Sequence, residues 1–126
     1  MKFSNRDQRV YDLEERTVKL AETIIDLVRQ CKESIYNRDI ISQLVRCSGS
    51  VGANYCEANE AESRKDFIHK IGICKKEIKE TKHWLRLLAR VHPEHVATIR
   101  IIWREVQELL LIFSRIKQST KKSSGN

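Results

Sequence analysis

Residues 63–91 read SRKDFIHKIGICKKEIKETKHWLRLLARV. Apolar or small side chains return at Phe67, Ile71, Cys74, Ile78, Thr81, Leu85 and Leu88, in alternating steps of four and three. That period lines them along one stripe of an α-helix and along no face of a strand. Ser63 stands where an N-cap belongs. Asp66, three residues on, takes the capping-box position that Glu or Gln more often fills. At the other end Pro93 cannot continue the helix and biases His92 away from helical angles, yet it suits the first turn of a new helix. A helix this long must bury its stripe against something, so the rest of the chain has to supply the partners.

It supplies three. Before the quoted stretch, Val10, Leu13, Thr17, Leu20, Ile24, Val28 and Cys31 form one stripe, and Ile40, Leu44, Cys47, Val51 and Ala58 form another. The polar turn SIYNRD separates the two. After Pro93 a fourth stripe reads Val96, Ile99, Trp103, Val106, Leu110 and Phe113. The spacing predicts helices over about 9–33, 38–61, 64–91 and 94–117, with a disordered basic tail, STKKSSGN, at 119–126. One proline and four glycines in 126 residues leave little turn chemistry for a sheet. The expected fold is all-α: one antiparallel up-down-up-down four-helix bundle over residues 1–118.

MKFSNRDQRV lacks the apolar core of a secretory signal, and the greasiest run, LLLIF at 109–113, is too short to span a bilayer. A cytoplasmic location is expected. Cys31, Cys47, Cys56 and Cys74 show no metal-ligand or CxxC spacing and read as compact hydrophobes.

Charge is distributed unevenly. Residues 1–63 hold 9 basic and 11 acidic side chains, whereas residues 64–126 hold 15 and 6. Within the second half Lys75, Lys79, Lys82, Arg86 and Arg90 fall within about 80° of helical arc over about 23 Å. Such a row can follow a phosphate backbone, with Lys117, Lys121 and Lys122 adding to it. No aromatic residue interleaves with the row, so base stacking is not expected from it.

The second helix divides into three faces. Beside the apolar seam runs a polar stripe, Gln43, Arg46, Ser50, Asn54 and Glu57, suited to a contact across helices or subunits. The remaining face carries Gly49, Gly52 and Ala53. Mid-helix glycine costs about 0.5–1 kcal/mol relative to alanine, so this face reads as a place where another helix comes close, inside the bundle or between subunits. GSVG lacks the strands of a nucleotide-clamping domain and the Lys-Ser/Thr of a phosphate loop. Ile73, Trp84, Leu87 and Val91 on the third helix, with Ile101, Ile102, Leu109, Leu111 and Ile112 on the fourth, exceed what one bundle needs and point to a homo-oligomer.

Catalytic chemistry is not indicated. Glu80 and His83 form half of a di-iron ExxH motif, without the second copy or the further glutamates. No cofactor or metal is expected, and no enzyme.

ISQLVRCSGSVGANYCEA and SRKDFIHKIGICKKEIKETKHWLRLL, with YDLEERTVKLAETIIDLV and ELLLIFSRI, resemble the bacterial four-helix-bundle proteins encoded in intervening sequences of 23S ribosomal RNA genes. The resemblance covers most of residues 10–116. Cys47 stands where that family usually has serine. It implies a homopentamer of antiparallel bundles. It also implies kinship with the accessory variability factor of diversity-generating retroelements, a basic pentamer that binds a reverse transcriptase and nucleic acid. Gln43, Arg46, Ser50, Asn54 and Glu57 fall on the family's signature polar positions. The expected function is a non-enzymatic oligomeric scaffold binding structured RNA or other nucleic acid; the alternative is a protein-interaction adaptor that docks a nucleic-acid enzyme.

Overall fold

The computed structural model describes residues 12–123. Four α-helices follow one another: α1 (Leu13–Val28), α2 (Arg38–Asn59), α3 (Arg64–Val91) and α4 (Val96–Ser123), with one 3-10 turn, Pro93–His95, between the last two. No strand occurs among the described residues. Contacts run around a square, α1 to α2 to α3 to α4 and back to α1, while the diagonal pairs stay apart. With connections this short, successive neighbours are antiparallel.

The α3 stripe is buried as its spacing requires, with Phe67, Ile71, Cys74, Ile78, Leu85 and Leu88 fully covered. Each large side chain so buried contributes roughly 1.5–3 kcal/mol. Ser63 caps α3, its hydroxyl accepting from the Asp66 N–H at 3.0 Å. Across the core Tyr55 of α2 meets Phe113 of α4 edge-on, with ring centroids 5.8 Å apart. At one end of the bundle a buried side chain, Asn37, ties two loops together. Its amide N–H groups reach the Lys32 carbonyl at 2.8 Å and His92 Nε2 at 2.9 Å, and its Oδ1 accepts from the Ser34 N–H at 2.8 Å. His92 Nε2 is therefore the acceptor, and its Nδ1–H donates to Glu94 at 3.0 Å.

Three expectations need correction. The fourth stripe is out of phase: Val96 and Trp103 face outward, while Ile102, Leu109 and Ile112, expected on an outer surface, are buried. The α4 sequence sets apolar residues on two adjacent faces, so two stripes compete, and Ile99, Ile102, Val106, Leu109, Phe113 and Ile116 win by closing the core. Only Ile101 (67% exposed) and Leu111 (54%) remain as outer apolar residues of that expected surface on α4. Second, α4 continues to Ser123, past the expected end at 117 and through residues expected to be disordered. Thr120 is buried and donates to the Ile116 carbonyl at 2.8 Å, while Lys121 and Lys122 suit the negative end of the helix dipole. Residues 124–126 of that tail lie outside the described residues, as does Val10 of the first stripe. Third, α1 is shorter than expected, ending at Val28 and entered through Asp12 at a left-handed φ of 48°.

The small face of α2 splits. A Cβ on Gly52 would lie 3.1 Å from Thr17 Oγ1, so this glycine lets α1 approach and seats the buried Thr17. Gly49 has open space around it and Ala53 is exposed, so neither makes a close helix contact within the chain. Gly49→Ala is accordingly expected to stabilise an isolated bundle by about 0.5–1 kcal/mol, through the smaller conformational freedom of the unfolded chain. Thermal unfolding of the variant checks this. A fall in stability would mean that a second molecule lies against Gly49.

Candidate nucleic-acid interface

The α3 row lies on the side of the helix that faces α4. Lys75 is half-buried between α3 and α4, and its pKa is pushed down, first by burial and then by the ammonium groups of Lys117, Lys79 and Lys121. Four cations from two helices thus crowd together. Beside them a groove of about 460 Å³ is lined by Lys65, His69, Gly72 and Lys76 of α3 and by Lys117 and Lys121 of α4. Gly72 matters to this arrangement, because Lys117 Nζ lies 3.1 Å from where its Cβ would be. The missing side chain lets the lysine lie across α3.

Further along the seam Lys82 donates to Gln107 Oε1 at 2.6 Å and sits 4.5 Å from the Trp103 ring centroid. Beyond it Arg86 of α3 and Arg100 and Arg104 of α4 border a second concavity of about 480 Å³. Arg90 is exposed one turn past Arg86. Lys122 is exposed in the last turn of α4 and lines neither groove.

Where the carboxylates go explains why this seam is basic. Glu77 and Glu80 of α3 turn toward α2 and pair with Arg46, Glu77 Oε2 at 3.4 Å. Glu105 and Glu108 of α4 turn toward α1 and clamp Arg16, Glu105 through two hydrogen bonds of 2.9 and 2.7 Å. Each acid of α3 and α4 that faces a neighbouring helix is spent on the opposite side from the seam. Lys75, Lys79, Arg86, Arg100, Arg104 and Lys117 have no carboxylate partner among the described residues.

The polar stripe of α2 fastens that helix to α3. Arg46 also donates to Gln43 at 3.1 Å, Lys70 Nζ reaches Glu57 Oε1 at 2.7 Å, and the Asn54 amide donates to its own Ser50 carbonyl at 2.8 Å. The bond to Glu57 is the main cause of the raised Lys70 pKa. Glu80, half of the ExxH motif, is taken up by Arg46, and the His83 ring meets Trp84 edge-on. Among the described residues no group of three or more His, Cys, Asp or Glu is placed to hold a metal, and no helix is long and apolar enough to cross a membrane.

Sequence reasoning missed Arg100, Trp103 and Arg104 because it read the basic row on one helix at a time, and Lys65 and Lys76 because they fall just outside the row's arc of about 80° on α3. The signal was present. A short turn at Pro93 makes α3 and α4 antiparallel neighbours, which sets Arg86 level with residues 96–104 and Lys65 to Lys76 level with Lys117 and Lys121.

These features define an all-α antiparallel four-helix bundle with one uncompensated cationic seam. The chain belongs to the family described as 23S rRNA-intervening sequence protein, which it matches over residues 9–115. It is similar to a solved structure of a protein with unknown function from the S23 ribosomal protein family of Bacteroides thetaiotaomicron. The two are 30% identical with a TM-score of 0.77, and the match covers 89% of this chain and 98% of that one. No curated protein matches the sequence.

Proposed function

We propose that the protein is a non-enzymatic, cytoplasmic scaffold that binds structured RNA or other nucleic acid through its α3–α4 seam, and that it works as a homo-oligomer. One observation carries this: the carboxylates of α3 and α4 that pair with neighbouring helices are used on the outer sides of those helices, leaving a continuous row of cations between them. The Lys75 pKa is lowered first by burial and then by the neighbouring ammonium groups, and a phosphate chain would relieve the second of these. Association of subunits is supported by the exposed apolar side chains Val18, Ile25, Ile101 and Leu111 and by the open small face at Gly49 and Ala53. A ring of five is what the family resemblance suggests; repeated seams would multiply affinity for a long polyanion.

A second reading, an adaptor for a nucleic-acid enzyme, draws on Ile35 and Tyr36, which stand 81% and 73% exposed on the α1–α2 turn. Nuclease treatment of a pull-down separates the two, abolishing association through nucleic acid and sparing direct docking.

The test of the main reading is a salt titration with an RNA hairpin and a matched DNA duplex. Replacing Lys75, Lys79, Lys82, Arg86 and Arg90 together by alanine should weaken binding and flatten the log–log salt slope by about 0.9 for each phosphate no longer neutralised. Unchanged affinity and slope would remove these residues from the interface.

A further inference from the structure

The concavity bordered by Arg86, Arg100 and Arg104 differs from the lysine groove at the other end of the seam in having arginines for lysines and Trp103 in its lining. Its floor is apolar: Ala89 is half-buried, Ile99 is buried, and Val96 is exposed at its mouth. One wall is Trp103, 36% exposed although it is the largest kind of side chain and sits on a helix with a full core. Lys82, which covers part of the indole, is not among the residues lining the cleft, so the ring presents a further part of its surface there. The three guanidinium groups have no carboxylate among the described residues. A volume of about 480 Å³ falls within the range of roughly 300–1,000 Å³ usual for small-ligand sites.

We infer that this cleft takes an unpaired nucleobase of single-stranded RNA or DNA, stacked on Trp103, with Arg86, Arg100 and Arg104 engaging the phosphates on either side. The inference rests on the nucleic-acid reading of the seam and makes it specific. A plain phosphate track needs cations but no stacking surface, and the lysine groove, which also holds Ile68 and Ile73, has no Trp, Tyr or Phe in its lining. An aromatic wall over an apolar floor serves a flat, weakly polar ring, and arginine can both pair with phosphate and stack on a base. A base held in a duplex cannot reach such a cleft, so the partner must offer an unpaired nucleotide at this point. The cationic row leading away along α3 favours a polyanion over a short acidic peptide.

Fluorescence tests it. In a Trp84→Phe background Trp103 is the only indole left, and the buried Trp84 Nε1, which has no hydrogen-bond partner among the described residues, makes that replacement mild. The full chain is titrated at low salt with a uridine oligonucleotide, a fully paired RNA hairpin stem, inorganic polyphosphate and oligoglutamate. The oligonucleotide should quench Trp103 strongly and polyphosphate should not. Trp103→Ala should weaken oligonucleotide binding about five- to hundredfold, with the stem affinity and salt slope unchanged, and Trp103→Tyr should recover most of the loss. Equal loss on the stem, no loss on the oligonucleotide, or quenching by polyphosphate or oligoglutamate to the same extent would overturn the base site while leaving the cationic seam standing. Failure of every nucleic acid to bind would instead overturn the reading of the seam itself, and the base site with it.

Discussion

Replacing Arg46 with alanine is expected to destabilise the bundle by about 1–3 kcal/mol, the cost of leaving a largely buried polar group without its partner. Arg46 itself is half exposed, its side chain 48% accessible, so on its own it would count as a surface ion pair of little weight. The weight comes from its partner. The Glu77 side chain is 11% accessible, lies on the buried side of α3 and has the Arg46 guanidinium as its cross-helix ion pair. Glu80 shares the same guanidinium, so its removal also places two carboxylates one turn apart with nothing between them. Urea unfolding near neutral pH reads the loss. Adding Glu77→Gln to Arg46→Ala should recover part of it, because the stranded group is then neutral. A loss below about 0.5 kcal/mol, the level of an ordinary surface substitution, would show that the polar stripe does not hold α2 to α3 and is free for a partner outside the bundle.

This bears on what the stripe is for. From sequence Gln43, Arg46, Ser50, Asn54 and Glu57 read as a contact across helices or subunits. In the fold their partners are Glu77, Glu80, Lys70 and their own helix. By drawing Glu77 and Glu80 toward α2, Arg46 also keeps acids away from the α3–α4 seam. The stripe and the seam are thus two sides of one distribution of charge.

The architecture was readable because the α3 stripe is unambiguous: one face is apolar, the other strongly charged, and Ser63 and Pro93 bound it. The phase of α4 was not, since LLLIF offers an apolar residue to every direction and only the packed core selects Leu109, Ile112 and Phe113. Trp103 carries that ambiguity into the site. Assigned to the core, it hid the one aromatic that stands beside the basic row, and base stacking was set aside on a helix-by-helix view. The cations were legible individually. Their meeting across α3 and α4, and the removal of the acids to the outer faces, are tertiary facts that no single helix contains.

Between pH 9 and pH 12 the protein is expected to lose about 3 kcal/mol of stability through Cys74 alone, the slope approaching about 1.4 kcal/mol per pH unit midway. Burial drives the Cys74 pKa up, from an ordinary thiol value of 9.0 to about 12, in a core position where its Sγ donates to the Val51 carbonyl at 3.6 Å. Proton counting gives the sign. Below pH 9 the thiol is protonated in both states and contributes nothing to the slope. Above it the unfolded chain releases the proton while the folded one retains it, so stability falls until the folded thiol ionises too. Cys47 and Tyr55, also raised chiefly by burial, act in the same direction, whereas the lowered Lys75 acts in the opposite one. Comparing wild type with Cys74→Ala isolates the one thiol, since the other groups titrate in both. With thiols kept reduced, urea unfolding should show wild type ahead at pH 8 through better packing, and that lead should shrink by about 2–3 kcal/mol by pH 11. Parallel curves over the whole range would mean that Cys74 ionises as readily in the fold as in the open chain, and that the core around it admits water.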